Sequence, residues 1–314
     1  MNRKAWLAGA LAAALALSSC AAQPRSPEAF MFGVVGDIPY SAREEVPYLD
    51  MMRAIDAEPL DFVIHVGDFK SGAEDCTDEL FARRKAQFEA SVHPLIYTPG
   101  DNEWTDCRWN KPRKRDPLER LAKLREMFFT EPRSLGRNRI ATEMQAEREG
   151  SCTAYPENRA WVRFGVRFVT LNVPGSDNNV GFDPASDAEA RCRDAANRRW
   201  LERAVSASEG PDTRGLVVAI QADPWVSRTR VYDDLVAQLQ AAAQRLGKPV
   251  LFVHGDTHTY MFDAPFKNAS GDVTPNLQRL ETYGSPAVGW VKVSVDPGDP
   301  ELFRVEPRLH AIVP

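Results

Sequence analysis

The sequence predicts an α/β fold in which short buried strands alternate with helices. Apolar runs rich in Val, Ile, Leu and Phe recur along the chain, and helical patterns lie between several of them. Gly-Asp turns follow four of these runs, at Gly36-Asp37, Gly67-Asp68, Gly100-Asp101 and Gly255-Asp256. Apolar runs that end in such turns are typical of buried strands. The alternation of strands and helices in the first half indicates a parallel core.

The individual elements follow from the same patterns. Strand-like runs lie near 31–36, 60–66, 94–98, 160–164, 166–173, 215–221, 249–254, 279–283, 290–295 and 301–305. Helical patterns cover 44–57, 77–92, 184–208 and 229–246, with Thr77 as an N-cap and Gly247 as a C-cap. The last three strand-like runs have no helix between them, which predicts an antiparallel finish to a sheet.

The strand pattern stops over 104–150, where we predict a helical, basic insertion in a domain that covers 30–314. One helix in it carries an apolar stripe of Leu118, Leu121, Leu124 and Phe128, which predicts core contacts. Five of the eight residues over 108–115 are basic. This stretch is either a solvated loop or a lid that meets anionic substrates or lipid headgroups.

The N-terminus has the pattern of a secretory signal peptide, which we assign to 1–19. Arg3 and Lys4 form a basic start, and an apolar stretch from Ala5 to Leu17 follows. This stretch is too short and too rich in small residues for a convincing membrane span. The sequence therefore predicts an exported protein.

The LeuSerSerCys segment that ends at Cys20 resembles the lipobox of bacterial lipoproteins. This resemblance implies membrane attachment through a lipidated Cys20, with 20–29 as the start of the mature chain and its tether. Ala21 is not the Asp that favours inner-membrane retention, so the implied location is the periplasm, at the outer membrane. The alternative is an ordinary cleaved signal with an accidental cysteine.

The net charge limits the classes of partner to expect, and the number of cysteines indicates the cellular compartment. The formal net charge of -5 does not argue for a nucleic-acid partner, so no nucleic-acid polymer is expected to bind. Beyond Cys20, an even number of cysteines fits an oxidising compartment. We favour the pairs Cys76–Cys107 and Cys152–Cys192 over unpaired thiols, and the absence of a CysXXCys pair argues against a zinc cluster.

Carboxylates at the exits of several strands of one sheet converge on one face. Hard cations prefer oxygen ligands in such an arrangement. The Gly-Asp turns therefore predict a divalent-cation site built from residues that lie far apart in the sequence.

The order and spacing of the turns resemble the calcineurin-like metallophosphoesterase superfamily, from Asp37 to His258. That family has Asp-x-His, Gly-Asp, Gly-Asn-His-Asp/Glu, a lone His and Gly-His-x-His, which hold two metal ions. The resemblance implies a four-layer αββα sandwich of two mixed β-sheets flanked by helices. It also implies metal-dependent hydrolysis of a phosphate ester.

The first half of the motif set matches in part. Asp37 stands at the first Asp, and Pro39 replaces the first His. Asp68 stands at the bridging Asp, and Asp101 stands at the Asn ligand.

The second part of the match departs further. Asn102 replaces the His proposed as general acid, and an amide cannot donate a proton at useful pH. Glu103 fits the acidic position after it. Gln221 or Asp223 lies where the lone His is expected and can substitute as an oxygen ligand. In the last motif Asp256 replaces the first His, and His258 keeps the second.

The implied cofactor is a divalent metal, one or two ions, with Mn, Mg or Ca favoured over Zn or Fe because oxygen replaces most imidazoles. The second metal position would have Asp68, Asp101 and Asp256, with Gln221 or Asp223. The first would keep Asp37, Asp68 and His258. Without a cation, these carboxylates could not all stay ionised.

Other residues near the turns have two interpretations each. His65 and His254 lie within strands and are either structural core residues or groups that orient a carboxylate. The aromatic residues Tyr40, Trp104, Trp225 and Tyr260 either wedge the loops or form a stacking rim.

The sequence thus predicts a metal-dependent phosphomonoesterase or phosphodiesterase of the cell envelope that acts on a small phosphorylated substrate. The candidate catalytic residues are Asp37, Asn102 and Glu103. The alternative is a catalytically impaired pseudophosphatase that binds a phosphorylated ligand or an envelope partner. The oligomeric state stays open.

Overall fold

The computed structural model describes residues 28–110, 113–145, 152, 154–267 and 271–314. In these parts the chain forms two mixed β-sheets packed face to face between layers of helices. The predicted four-layer αββα sandwich is therefore confirmed. The predicted signal peptide 1–19, Cys20 and most of the tether lie outside the described residues, as do Lys111 and Pro112 of the basic stretch.

The strands are β1 (Phe30–Val35), β2 (Phe62–His65), β3 (Leu95–Tyr97), β4 (Glu143–Gln145), β5 (Tyr155–Arg163), β6 (Val166–Thr170), β7 (Gly215–Ala219), β8 (Val250–His254), β9 (Met261–Asp263), β10 (Leu277–Glu281), β11 (Ala287–Val295) and β12 (Phe303–Ile312). The five-stranded sheet has the order β12-β11-β1-β2-β3, with β1, β2 and β3 parallel. The seven-stranded sheet has the order β4-β5-β6-β7-β8-β10-β9, with β6, β7, β8 and β10 parallel.

The predicted antiparallel finish is divided between the two sheets. β11 and β12 form an antiparallel pair beside β1, as predicted, but β10 pairs parallel to β8 in the other sheet. β10 buries Leu277 against the helices and Leu280 between the sheets, as an interior strand does. β4 and β9 were not predicted, because each has only three residues, too few to establish a strand pattern.

The helices are α1 (Glu45–Asp56), α2 (Asp78–Ala90), α3 (Pro117–Phe128), α5 (Pro184–Ser206) and α6 (Asp233–Leu246), and Thr105–Trp109 form a 3-10 helix. The short element α4 (Gly175–Asn178) is a single turn whose inner residues have left-handed backbone angles. Thr77 caps α2, since its hydroxyl accepts from the backbone N–H of Leu80 at 3.1 Å. Gly247 ends α6 with φ 59°, a left-handed conformation that glycine adopts at little cost.

Three apolar clusters hold the layers together. α1, α2 and α3 pack on the outer face of the five-stranded sheet, and the stripe residues Leu121, Leu124 and Phe128 lie in that cluster. α5 and α6 cover the outer face of the seven-stranded sheet. Between the sheets, the Phe62 ring meets the edge of Phe168 with centroids 5.0 Å apart. This central layer fixes the two sheets so that their strand exits open on the same side.

Candidate functional site

The predicted carboxylates lie at strand exits of both sheets. Asp37, Asp68 and Asp101 follow β1, β2 and β3, and Asp256 follows β8. Three of them have a positive φ: 55° at Asp37, 56° at Asp68 and 83° at Asp256. Residues other than glycine rarely adopt this left-handed backbone conformation, and they keep it only where the surrounding structure imposes it.

Glycine at each turn lets the next carboxylate come close. A Cβ atom at Gly255 would lie 2.0 Å from Asp37 Oδ2, and one at Gly100 would lie 2.1 Å from Asp68 Oδ1. Neither distance leaves room for a side chain. The Gly-Asp pairs therefore serve two roles, since the Asp supplies an oxygen and the Gly makes space for the oxygen of another turn.

The side-chain nitrogen of Gln221 marks the centre of the site. Nε2 donates to Asp68 Oδ2 at 3.2 Å, Asp101 Oδ1 at 3.0 Å and Asp256 Oδ1 at 3.4 Å. An amide nitrogen carries two hydrogens and cannot fully serve three carboxylates. We call Asp68, Asp101, Asp256 and Gln221 the Gln221 group.

Gln221 and Asp223 are placed differently from the oxygen ligands that were predicted. Gln221 Oε1 accepts from the backbone N–H of Gly175 at 2.6 Å, which turns the nitrogen toward the carboxylates. Asp223 donates its backbone N–H to Asp256 Oδ2 at 2.9 Å. Its own carboxylate accepts from the backbone N–H of Trp225 at 2.8 Å and lies with His254 and Glu281 instead.

Asp37 and His258 lie beside the Gln221 group. Asp37 Oδ1 accepts from the backbone N–H of Asp256 at 3.0 Å, while Oδ2 is buried with no hydrogen-bond partner among the described residues. His258 Nε2 lies 3.8 Å from Asp37 Oδ1. His258 Nδ1 lies 2.6 Å from the carbonyl of Ser285, so Nδ1 carries the hydrogen. Burial lowers the pKa of His258, which favours the neutral ring with the lone pair on Nε2.

Tyr40 connects His258 to Asn102 and Asp68. Its hydroxyl donates to Asp68 Oδ2 at 2.9 Å, accepts from Asn102 Nδ2 at 2.8 Å and lies 3.2 Å from His258 Nε2. The backbone N–H of Asn102 also donates to Asp68 Oδ1 at 3.0 Å. Asn102 thus lies at the cluster, and Tyr40 contributes its hydroxyl rather than only a wedging ring.

Glu103 faces the backbone rather than the Asn102 side chain. It is buried and accepts from the backbone N–H groups of Gly100 at 2.8 Å and Asp68 at 3.1 Å, and from the Tyr97 hydroxyl at 2.7 Å. This placement makes Glu103 a positioning residue for two turns, and its predicted catalytic role stays a prediction.

The electrostatics favour an added cation. Burial, followed by repulsion between neighbouring carboxylates, raises the pKa values of Asp37, Asp68 and Asp101 well above their ordinary range. Burial raises the pKa of Asp256 to about 6. Over the described ranges, no Lys or Arg forms a salt bridge with these four residues. Clustered carboxylate oxygens, with Asp37 Oδ2 unpartnered among the described residues, are the type of ligand that a hard divalent cation takes, so the residues present fit one by ligand type.

Two neighbours of the site had not been identified from the sequence. Lys70 is buried and donates from Nζ to the carbonyl of Asn102 at 2.6 Å. Ser176 Oγ donates to Asp101 Oδ2 at 2.9 Å and lies 2.6 Å from Asp106 Oδ1.

Ser176 belongs to a left-handed turn. The four residues over 176–179 have φ between 47° and 64°. Each left-handed residue costs roughly 1–2 kcal/mol, and Asn and Asp tolerate it best. The sequence ProGlySerAspAsnAsn at 174–179 carries that signal.

Two basic residues over 108–115 contact other parts of the chain, and the aromatic residues after the turns differ in burial. Arg108 contacts Asn179 and lies 3.8 Å over the Phe182 ring, and Arg115 pairs with Asp75 at 2.8 Å. Both side chains are thus engaged in contacts within the protein. Trp104 is fully buried and wedges its loop, whereas Trp225 is partly exposed.

The two predicted disulfides are confirmed. Cys76–Cys107 joins the loop after Asp68 to the loop after Asp101, and Cys152, three residues before β5, is joined to Cys192 of α5. Cys76 and Cys107 are fully buried next to the candidate site.

Removal of Cys76–Cys107 by a double change to Ser is expected to lower the free energy of unfolding by about 3–4 kcal/mol, because the bridge closes a loop of 31 residues. Chemical denaturation measures the loss. The matched control removes Cys152–Cys192, with a separation of 40 residues, and should cost a similar amount. Only the first variant should also weaken divalent-cation binding; equal effects of both on binding would contradict this.

His65 is a structural residue. Its Nδ1 accepts from the backbone N–H of Gly67 at 3.2 Å, and its ring lies 4.7 Å from that of Phe88. Burial lowers the pKa of His65 to about 3.

This low pKa predicts an acid-sensitive contribution to stability. In the unfolded chain His65 takes up a proton near pH 6.5, whereas in the folded protein it does so only near pH 3. The contribution of neutral His65 to the free energy of unfolding is therefore complete above pH 6.5 and is lost as the pH falls toward 3. The free energy of unfolding should fall by up to about 1.4 kcal/mol per pH unit from this residue alone. His65→Phe should lack this slope relative to wild type in denaturation between pH 7 and pH 4, and parallel curves for both proteins would contradict it.

The sequence matches no protein-family profile and no curated protein. Solved structures do resemble the fold. GAP50, the anchor in the inner membrane complex of Plasmodium, is 11% identical with a TM-score of 0.49, over 90% of this chain and 89% of that one. A phosphatase from Mycoplasma pneumoniae is 10% identical with a TM-score of 0.43, over 89% and 92%. Vacuolar Protein Sorting 29 from Cryptosporidium parvum is 12% identical with a TM-score of 0.32, over 89% and 96%. These likenesses are too distant to carry a functional argument, which has to come from the site itself.

Proposed function

We propose that this protein is a divergent calcineurin-like metallophosphoesterase that hydrolyses a small phosphate ester with a divalent cation. The observation that carries the proposal is the Gln221 group, where three carboxylates from separate strand exits surround one nitrogen within 3.4 Å. Such a concentration of buried negative charge is costly unless a cation is bound.

Five side chains of the cluster would form the cation site. Asp68, Asp101 and Asp256 would hold a cation, with Asp37 and His258 beside them. When bound, the cation supplies positive charge that orients a phosphate oxygen and offsets charge developing during hydrolysis. Mn, Mg or Ca suits these oxygens better than Zn or Fe.

Donors around the group favour a phosphate as the ligand. The Ser176 hydroxyl donates to Asp101 and the Tyr40 hydroxyl donates to Asp68. Asn102 Nδ2 donates to the Tyr40 hydroxyl and so lies next to the Gln221 group. Asn102 can donate a hydrogen bond to a phosphate oxygen, but it cannot protonate a leaving group. The preferred substrates are therefore activated esters, or phosphodiesters of acidic alcohols.

A metal panel tests the proposal. Chelator-treated protein is assayed with a bis(nitrophenyl) phosphodiester and a nitrophenyl monoester after addition of Mn, Mg, Ca, Zn or Fe. We expect turnover that depends on Mn, Mg or Ca. Absence of turnover with every metal would reject the enzyme.

The orientation of Gln221 favours one alternative function. Its nitrogen already donates to the three carboxylates, and Pro39 stands where the family has a metal-binding His. A pseudophosphatase that binds a phosphorylated ligand or an envelope partner would keep this arrangement. Binding of a phosphodiester without turnover would support that alternative.

The compartment follows in part from the disulfides, which indicate an oxidising, exported environment. None of the helices in the described parts of the chain has the length and hydrophobicity to span a membrane. We propose attachment through lipidated Cys20 to the periplasmic face of the outer membrane. Mass spectrometry of the mature N-terminus tests this, and an unmodified N-terminus would reject it.

A further inference from the structure

A second group of potential ligands lies on the helix-covered side of the seven-stranded sheet. His254 and Glu281 are paired directly across β8 and β10. His254 shares a face with Phe252, and Glu281 shares one with Leu277, and both apolar residues pack toward the helices. Asp223 reaches this face from the loop after β7. One ligand atom from each of Asp223, His254 and Glu281 lies within 4.8 Å of the other two.

His254 is oriented to present a lone pair. Its Nδ1 lies 2.8 Å from the carbonyl of Gly255, and a carbonyl only accepts, so Nδ1 carries the hydrogen. Nε2 is buried and has no hydrogen-bond partner among the residues that the structure describes. Metal-binding histidines are commonly fixed by this kind of hydrogen bond from the other ring nitrogen.

In each of the two carboxylates, one oxygen is fixed by hydrogen bonds from nearby residues. Glu281 Oε1 accepts from the hydroxyl of Thr257 and from the backbone N–H of Thr259 at 3.3 Å. Its Oε2 is buried, without a hydrogen-bond partner in the described part of the chain. Asp223 Oδ1 accepts from the backbone N–H of Trp225. Buried acceptors that face each other without a donor are costly, and a cation would satisfy them together.

The nearby basic residue is already engaged. Arg279 forms a bidentate pair with Asp263 at 2.8 and 2.6 Å, and its guanidinium lies 4.7 Å from the centre of the Trp225 ring. The rings of Phe252 and Trp225 lie 5.4 and 6.1 Å from that of His254. These rings pack beside the His254 imidazole.

We propose that Asp223, His254 and Glu281 bind a divalent transition-metal ion, best matched by Zn²⁺, at a site separate from the Gln221 group. One imidazole and two carboxylates form a ligand set that zinc takes, with a fourth position left for water. The Gln221 group offers carboxylate oxygens instead and favours harder cations.

This site would also support the first one. The backbone N–H of Asp223 donates to Asp256 Oδ2 at 2.9 Å, so an ion that fixes Asp223 fixes a donor to the Gln221 group. The zinc site does not require that the protein be a phosphoesterase.

The test uses the full chain, stripped with a chelator and dialysed against Zn²⁺, with bound zinc measured by mass spectrometry. Glu281→Gln should lose about one equivalent of zinc, since it removes one of three ligands. The matched control, Asp68→Asn in the Gln221 group, should keep that zinc. Equal zinc content in wild type and Glu281→Gln would overturn the proposal.

A measurement on the unaltered protein guards against misfolding of the variant. Crystals grown with Zn²⁺ should show anomalous density at the zinc edge between Asp223, His254 and Glu281. Its absence there would overturn the zinc site, whether or not the protein hydrolyses phosphate esters.

Discussion

Asp101→Asn is expected to abolish cation-dependent hydrolysis and, at the same time, to stabilise the cation-free protein. Asp101 is one of three carboxylates around Gln221, and burial and repulsion raise its pKa well above the ordinary value. Removal of one charge takes away a ligand, so turnover should fall by at least about 10³-fold. The same change relieves repulsion, so the cation-free protein at pH 8 should gain about 1–3 kcal/mol in its free energy of unfolding.

The amide fits the position of the carboxylate. Its oxygen can accept from Gln221 Nε2, and its nitrogen can donate to the hydroxyl of Ser176, which can also act as an acceptor. Phosphodiester kinetics with added Mn²⁺ and denaturation in chelator measure the two effects. Asp106→Asn is the matched control, because Asp106 contacts the same hydroxyl but lies outside the Gln221 group. A variant that loses both activity and cation-free stability would contradict the account.

Asn102→His is expected to have the second largest effect, a gain of about 10²-fold in turnover of esters with poor leaving groups. Asn102 lies against Tyr40 and Asp68 at the edge of the cluster, where an imidazole could protonate the departing alcohol. Esters of acidic alcohols need no such proton, so their turnover should change little. The ratio of kcat/KM for an alkyl ester to that for a nitrophenyl ester measures the difference.

An exposed asparagine provides the control for this gain. Asn138 lies in a loop and donates to the carbonyl of Val92, outside the cluster. Asn138→His should leave the ratio unchanged. If Asn102→His raises both substrates equally, the replaced residue has no part in protonating the leaving group.

The local signals in the sequence were sufficient to predict the carboxylate cluster. Each Gly-Asp pair follows an apolar run, and carboxylates at strand exits of one sheet were expected to converge. Asp37, Asp68 and Asp101 do follow strands of one sheet, whereas Asp256 follows a strand of the other. The cysteine pairing was favoured for the same reason, since Cys76 and Cys107 follow two of these turns.

Side-chain direction could not be predicted in the same way. Gln221 turns its nitrogen inward because the N–H of Gly175, 46 residues away, holds its oxygen. Asp223 turns its carboxylate away from the Gln221 group, where Oδ1 accepts from the backbone N–H of Trp225 at 2.8 Å. The orientation of Gln221 thus depends on a long-range contact that no local pattern encodes.

The most direct test of the central claim is anomalous diffraction at the manganese edge from crystals grown with Mn²⁺. We expect one strong peak within about 2.5 Å of oxygens from Asp68, Asp101 and Asp256, with the side chain of Gln221 displaced or rotated. Manganese absent from this position, with Gln221 Nε2 still donating to the three carboxylates, would contradict the claim.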